Sequence, residues 1–323
     1  MRRREFITLL GSASAWPLVA RAQQVMPVIG ILNIGAPFVY PLSGLREGLK
    51  DAGFVEGRSV AIEYRWANND LTRLPDLAAD LVRRGVTVIV AMASAPAALA
   101  AKAATTAIPI VFGFGVDPVA AGLVDSINRP SGNITGITSM SGELGGKQLG
   151  LLHELLPNAT RFAVLLNPEN PATASLGRDA QAAASATGQH VEVLNASTIA
   201  EIDGAFAALV ENRVQGLLVT TDTLFADRRV QLIILSARHA IPAIYPFREN
   251  AEAGGLMSYG PNLADRDRQV GIYVGRILKG EKPSALPVMR ATKFEFVINK
   301  QTAKTMGLVI PSTFYALADE VIE

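Results

Sequence analysis

The chain has 323 residues, of which 49% are hydrophobic, and its 30 basic and 29 acidic side chains give a formal charge of +1. This near balance argues against a nucleic-acid-binding surface, which needs clustered positive charge. Cysteine is absent from the sequence, so a disulfide framework, a cysteine nucleophile and a thioether lipid anchor are all excluded. A chain of this length exceeds what one hydrophobic core usually serves, and two lobes are expected.

The first 22 residues have the pattern of a secretory leader. Basic residues 2–4 precede a short apolar stretch, and Ala20-Arg21-Ala22 has the form of an export cleavage site. The pair Arg3-Arg4 followed by Phe6 also fits a twin-arginine signal. Removing residues 1–22 takes away four arginines and one glutamate, which changes the formal charge from +1 to −2. The leader predicts that the mature protein is periplasmic. We expect it to be soluble, because no later stretch approaches the ~20 apolar residues of a membrane span, and not lipidated, because it has no cysteine.

The rest of the sequence contains an internal repeat. Four segments of the first half match four segments of the second half in the same order, and each pair includes a predicted strand or the end of a predicted helix. The pairs are 28–33 with 162–167, 52–53 with 187–188, 81–90 with 209–218 and 106–112 with 239–245, at offsets of 134, 135, 128 and 133 residues. Duplication of one α/β unit explains both the order and the spacing.

Each copy alternates short apolar strands with longer helical patterns, which is typical of buried parallel strands covered by helices. We predict an α/β fold with two doubly wound parallel-sheet lobes joined by a multi-strand hinge. The turn-rich stretch 128–136 suits a crossing between the lobes. The first lobe is predicted to comprise residues 23–138 plus about 262–285, and the second residues 139–261 plus about 286–323.

The last 60 or so residues belong to neither copy. Their pattern predicts a helix from about Leu263 to Lys279, a strand around Phe294 to Ile298 and a final helical tail. We expect this surplus to cross again between the lobes and to complete the hinge.

Candidate ligand contacts follow from a rule for open parallel sheets, in which the ligand site lies beyond the carboxyl ends of the strands. Two tyrosines near the predicted cleft edges are added, because aromatic side chains are common in pocket walls. The candidates are Asn33, Ser94, Ala95, Pro96, Gly115, Asp117, Asn167, Thr221, Asp222, Tyr245 and Tyr259.

Two candidates occupy equivalent positions in the repeat, Ser94 in one copy and Asp222 in the other. Ser94 precedes a predicted helix start with free backbone N–H groups and with Pro96 at the N1 position, which suits an anion. Asp222 suits an ammonium group, and together they suggest a zwitterion such as an amino acid. The alternative is that each is an ordinary N-cap, for Asp222 of a helix running through Phe225 to Arg238. Asp117 before Pro118 is typical of a turn as well.

Motifs of the common catalytic classes are missing from the sequence. It has no Gly-x-Ser-x-Gly elbow, no His-Glu-x-x-His pair and no Walker phosphate loop. The glycines near residue 115 lack the third glycine of a dinucleotide fingerprint. The three histidines, His153, His190 and His239, stand far apart. No catalytic residue, metal site or cofactor is therefore predicted.

A further set of segments matches a known family pattern: 62–66, 74–83, 95–102, 128–136, 251–260 and 294–299, together with the leader and Gln23-Gln24. In these segments the chain resembles the solute-binding proteins of ABC importers, in the group that includes tryptophan- and phenylalanine-binding members. The resemblance implies a type I periplasmic binding fold that captures a small ligand for a membrane permease. It carries over Ser94, Asp222 and Tyr245 as positions that hold amino-acid ligands, while the first loop, residues 34–40, is bulkier than the group's usual loop.

The implied mechanism is a two-lobed clamp that closes on its ligand. The ligand would be an amino acid, possibly aromatic, or a related small organic acid, and the partners would be an ABC permease and its ATPase, with no nucleic acid and a monomeric protein. Two alternatives stay open: an exported α/β enzyme acting on a small molecule in the cleft, and the ligand-sensing domain of a regulatory system. Turnover of the ligand would indicate the enzyme, and a DNA-binding head in place of the leader would indicate the regulator.

Overall fold

The computed structural model describes residues 26–37 and 42–323. Residues 1–25, which include the predicted leader, and residues 38–41, which include the end of the first loop, lie outside the described residues. Within the described part of the chain, no helix combines the length and the apolar character that crossing a bilayer requires.

The first lobe is built from alternating strands and helices. In chain order these are β1 (Val28–Asn33), α1 (Ser43–Asp51), β2 (Ala61–Trp66), α2 (Leu74–Arg83), β3 (Val88–Met92), α3 (Ala95–Ala104), β4 (Ile110–Phe114) and β5 (Ile134–Thr138). The second lobe repeats this alternation. Its elements are α4 (Gly145–Leu155), β6 (Arg161–Leu166), α5 (Pro171–Ala186), β7 (His190–Asn195), α6 (Ile199–Glu211), β8 (Gly216–Val219), α7 (Thr223–Asp227), α8 (Arg229–Arg238), β9 (Ala243–Tyr245), α9 (Arg248–Glu252) and β10 (Met257–Pro261).

The C-terminal segment serves both lobes. It consists of α10 (Leu263–Leu278), β11 (Met289–Arg290), β12 (Phe294–Asn299), α11 (Lys300–Thr305), α12 (Ser312–Leu317) and β13 (Glu320–Ile322). Helix α10 packs on the first lobe and β11 pairs with β5 there, whereas β12 and β13 join the second sheet. The tail is therefore not wholly helical as predicted, because it ends in a short strand that pairs in parallel with β12.

Among the described residues the two sheets have the orders β11-β5-β4-β3-β1-β2 and β13-β12-β10-β9-β8-β6-β7. The central five strands of both sheets have the same topology. The order β5-β4-β3-β1-β2 in the first lobe corresponds to β10-β9-β8-β6-β7 in the second, with every strand number increased by five. This confirms the doubly wound repeat that the sequence predicts. One strand departs from the parallel expectation, since β12 runs antiparallel to β10.

Each sheet is covered on both faces, which explains why its central strands are almost wholly apolar. In β3, Ile89 and Ala91 pack into one hydrophobic cluster while Val88 and Val90 pack into another on the opposite face. All residues of β3 are buried. Such a strand reads as a continuous apolar run without alternation, as expected for a parallel strand between two helical layers.

Helices α1 and α10 approach each other closely in the first lobe. A Cβ atom on Gly48 of α1 would lie 1.9 Å from the backbone oxygen of Arg268 on α10. Gly271 meets α1 in the same way, with a would-be Cβ 2.3 Å from the backbone oxygen of Leu45. The glycines therefore bring the C-terminal helix against the N-terminal one and fix it to the first lobe.

The lobes are joined by crossings after β5, after β10 and after β11 in the described chain. Backbone hydrogen bonds tie these crossings together: Ala291 N–H donates to the Thr138 oxygen at 2.8 Å, and Asn262 N–H donates to the Lys293 oxygen at 3.0 Å. The hinge is thus a bundle of adjacent extended segments, in line with the multi-strand hinge expected from the sequence.

Candidate functional site

A cavity of about 630 Å³ lies between the two lobes, at the carboxyl ends of their parallel strands. Small-ligand pockets commonly measure about 300–1,000 Å³. Both lobes contribute to the wall, and so does the hinge segment 140–143. Eight of the sequence-predicted contacts line this cavity: Ser94, Ala95, Pro96, Gly115, Asp117, Asn167, Thr221 and Asp222.

Ser94 places the start of α3 at the cavity. It is the N-cap of α3, with its Oγ accepting from the Ala97 N–H at 3.4 Å. Two details of the sequence prediction are wrong here. Ala95 is the first helical residue, so Pro96 occupies the second position rather than N1, and the Ala97 N–H is not free. The residue before the cap, Ala93, has a φ of 69°, a left-handed conformation that is costly for alanine.

The remainder of the first-lobe wall is largely apolar. Ile34, Leu71, Leu99, Phe114 and Val116 all face the cavity. Phe114 is held by stacking on Phe112, with ring centroids 4.6 Å apart. An apolar ligand group that packs against this wall would be removed from water, which favours binding.

Gly115 marks where the first lobe meets the hinge. A Cβ atom here would lie 2.7 Å from the Ser141 Oγ, and the Gly115 oxygen accepts from the Ser141 N–H at 2.6 Å. Asp117, further along the same wall, accepts from the Val119 N–H at 2.8 Å. Its carboxylate therefore serves a turn, as the alternative interpretation of the sequence proposed, although the residue also lines the cavity.

Asp222 is the central polar group of the second-lobe wall. Its side chain caps α7, accepting from the Leu224 N–H at 2.8 Å, and only 5% of the residue is exposed. Two side-chain amides also donate to it, Asn167 Nδ2 at 3.3 Å and Asn170 Nδ2 at 2.8 Å. Within the described residues no lysine, arginine or histidine forms an ion pair with this carboxylate.

The helix predicted to follow Asp222 is broken. Instead of one helix through Phe225 to Arg238, the chain forms the short α7 and then α8, with Arg228 between them outside the regular helical conformation. The break leaves Asp227 at the end of α7, where it reaches the opposite lobe. Asn69 Nδ2 donates a hydrogen bond to Asp227 Oδ2 across the cleft. Burial raises the pKa of the Asp227 carboxyl above its ordinary value.

Three predicted contacts do not line the cavity. Tyr245 is 1% exposed in the core of the second lobe, where its hydroxyl bonds Ser236 Oγ at 3.1 Å, and this burial raises its pKa to about 12. Tyr259 stacks on Phe294 and packs against the core of the second lobe. Asn33 is fully buried, and its Oδ1 accepts from the Gly35 N–H at 2.8 Å. Tyr245 is the last residue of β9 but its side chain packs into the core, and Tyr259 lies in the middle of β10, partly buried against the core.

Sequence reasoning missed several wall residues that the same rule could have found. Asn69 follows β2 and Ser197 follows β7, and both line the cavity. Neither strand end was included among the candidates. Asn170 and Thr173 were missed for another reason, since they lie in a turn and the first turn of α5 rather than at a strand end. Across the described residues, no three His, Asp or Glu side chains are placed to share a metal ion.

Comparison with known proteins decides the family. Residues 37–322 match the model of the ABC transporter substrate-binding protein family. The chain belongs to this family. Proteins of this kind bind a small molecule for an ABC transporter. The chain is 27% identical over 265 residues to the tyrosine-binding protein of Clostridioides difficile (strain R20291), covering 82% of this chain and 76% of that protein.

Solved structures place this substrate-binding protein among the type I periplasmic binding folds. An ABC domain from Streptococcus pneumonia in complex with L-Trp is 24% identical, with a TM-score of 0.81, 92% of this chain covered and 99% of that chain. The ligand-free, open structure of a substrate-binding protein with adhesive properties from Clostridium difficile is 27% identical, with a TM-score of 0.66 and the same shares covered.

Proposed function

We propose that this substrate-binding protein captures an amino acid with an aromatic or other large apolar side chain between its lobes and presents it to an ABC permease. The observation that carries the proposal is Asp222, a buried carboxylate in the cavity wall that has hydrogen-bond donors but no cationic partner among the described residues. An ionised carboxylate is costly to bury unless it is paired. A ligand ammonium group supplies that pair.

The hydrogen-bond count leaves room for the ligand. A carboxylate has about four lone-pair sites. The Leu224 N–H and the Asn167 amide occupy Oδ1, and the Asn170 amide occupies one site on Oδ2. One site on Oδ2 is thus left for an ammonium group. The two amides also orient the carboxylate before the ligand arrives, which lowers the ordering cost of binding.

The opposite wall suits the rest of an amino acid. The start of α3 at Ser94 offers the positive end of a helix dipole and the Ala95 N–H to a carboxylate. The apolar side chains around Phe114 and Leu99 suit a large apolar ligand group. The tyrosine-binding relative supports this choice of ligand class.

The mechanism is closure of the hinge around the ligand. A ligand that contacts both lobes favours the closed form by its differential affinity for the two states. We place the protein outside the cytoplasm as a monomer without cofactor, and we assign the energy of transport to the ATPase of the permease. Binding without turnover is part of the proposal, and it is supported by the family and by the relatives, which are binding proteins.

A thermal-shift screen of amino acids and aromatic acids against residues 23–323 tests the proposal. Stabilisation grows with ligand concentration when the folded state alone binds. We expect tyrosine, phenylalanine or tryptophan to raise the melting temperature, with the ligand recovered unchanged by chromatography after incubation. Consumption of the ligand would indicate an enzyme instead. A screen without any stabilising amino acid would overturn the proposed ligand class.

A further inference from the structure

Asn69 and Asp227 connect the two lobes across the mouth of the cleft. Asn69 lies in the loop after β2 with a φ of 62°, and Asp227 is the last residue of α7. The Asn69 Nδ2 donates to Asp227 Oδ2. Since the partners belong to different lobes, this hydrogen bond exists only when the lobes are together.

The other oxygen of each side chain is buried and unsatisfied. Within the described chain, neither Asn69 Oδ1 nor Asp227 Oδ1 has a hydrogen-bond partner. Both atoms are acceptors when Asp227 is ionised, so they cannot satisfy one another, and burying unsatisfied acceptors is costly. A proton on Asp227 Oδ1 makes that oxygen a donor. The amide and the carboxyl group can then exchange two hydrogen bonds, in which Nδ2 donates to Oδ2 and Oδ1–H donates to the Asn69 oxygen.

The charges around Asp227 are mixed. Burial is the largest influence on its pKa and raises it, and the nearby Asp222 carboxylate acts in the same direction. The hydrogen bond from Asn69 and, after it, the charges of Arg228 and Arg229 at the junction of α7 and α8 act against this and lower the pKa, but the net effect is a raised pKa. The charge of Arg229 also acts on the pKa of Glu249 on α9. The group that faces Asp227 from the first lobe is the neutral Asn69 amide. When the lobes separate, water hydrates the Asp227 carboxyl group and its pKa returns towards the ordinary value of 3.8.

We propose that Asn69 and Asp227 form a proton-dependent latch, in which closing the lobes takes up one proton from solvent at Asp227 and holds the cleft shut. This inference concerns regulation of the cavity and rests on the proposed function for its effect on ligand affinity. The sign follows from the linkage of protonation to closure. The latch is fully engaged below the open-state pKa of Asp227 and is lost as the pH rises through the closed-state pKa. Ligand affinity therefore increases as the medium becomes acidic, by up to about tenfold per pH unit between these two values.

Calorimetric titration with L-tyrosine tests the latch. We expect the Kd of the wild-type protein to fall several-fold between about pH 7.5 and about pH 4.5, a window that includes the usual range of shifted carboxyl groups. Buffers with different ionisation enthalpies should reveal the uptake of up to one proton per ligand bound. A Kd that does not change over this window would overturn the inference.

Asp227→Asn is the decisive variant. Its amide can donate to Asn69 Oδ1 while its oxygen accepts from Asn69 Nδ2, so it reproduces the protonated pair at every pH. We expect tight binding without the wild-type pH dependence. Asn69→Gly removes the pair from the other lobe while keeping the positive φ, and it should bind more weakly at acidic pH and also lose the pH dependence. If Asp227→Asn keeps the pH profile of the wild-type protein, Asp227 is not the group that titrates.

A measurement without ligand separates the latch from the proposed function. The chain contains no cysteine, so Val55→Cys and Val210→Cys place two spin labels at exposed positions, one on each lobe. Without ligand, the short interlobe distance should become more populated on acidification in the wild-type background but not with Asp227→Asn. Failure of L-tyrosine to bind alongside this response would refute only the proposed ligand. Tyrosine binding with pH-independent distances and affinity would refute only the latch.

Discussion

Replacing Asp222 by asparagine separates its two roles, capping α7 and binding a cationic group. Asparagine is about as good an N-cap as aspartate, so the cap to the Leu224 N–H can survive. One donor among Asn167, Asn170 and the Leu224 N–H loses its acceptor, since the new amide has a single oxygen. We expect a loss of about 1 kcal/mol in the free energy of unfolding of the unliganded protein, measured with urea.

The effect on ligand binding should be much larger. A buried, hydrogen-bonded charge pair that loses one partner costs about 2–5 kcal/mol, which corresponds to an increase in Kd of about 30-fold or more. Titration calorimetry with L-tyrosine measures it directly. Asp51→Asn, at the end of α1 and paired there with Arg268, makes the same change in net charge away from the cavity and should leave the Kd unchanged. A Kd for Asp222→Asn within threefold of the wild-type value would show that Asp222 is only a helix cap.

Four other substitutions test the fold and the assignment of the site. Gly48→Ala should lower the free energy of unfolding in urea by about 1–3 kcal/mol, because its Cβ would lie 1.9 Å from the α10 backbone. Gly204→Ala in α6 is the matched control: a Cβ there has no atom within 4 Å, so this variant should be more stable by up to about 1 kcal/mol. Ala93→Gly should raise the free energy of unfolding by about 1 kcal/mol, because the φ of 69° suits glycine, and an unchanged or lower value would argue against the left-handed backbone. Tyr245→Phe should leave ligand affinity unchanged, because Tyr245 does not line the cavity. The variant should also lose less stability at alkaline pH: the Tyr245 hydroxyl has its pKa raised from 10.0 to about 12, so in the wild-type protein its contribution to stability is lost as the pH rises through this range. If Tyr245→Phe binds the ligand more weakly than the wild-type protein, Tyr245 belongs to the binding site after all.

Much of the fold could be predicted because duplication left a spacing that the sequence shows directly. The matched segments 28–33 and 162–167 correspond to β1 and β6, and each is the second strand from the β2 or β7 edge of its sheet. The antiparallel β12 could not be predicted in the same way. Its partner β10 lies some 30 residues away in sequence, and no repeat copy exists to give its direction.

The site was predicted where strand ends coincide with helix starts. Ser94 and Asp222 satisfy both conditions, and both line the cavity as N-caps. Tyr245 fails because an apolar pattern does not tell whether a strand's last side chain points into the cleft or into the core. The Asn69–Asp227 contact could not be predicted at all, since it depends on how two separately folded lobes meet and on the break after α7.

We propose Asp222 as the group that binds a ligand ammonium in the interlobe cavity. The most direct test of this proposal varies the ligand rather than the protein: calorimetry of residues 23–323 with L-tyrosine and with 3-(4-hydroxyphenyl)propanoate, which lacks only the amine. We expect loss of the amine to weaken binding to the wild-type protein by about 30-fold or more, and we expect the two ligands to bind Asp222→Asn with similar affinity. Equal affinity of the wild-type protein for both ligands would contradict it.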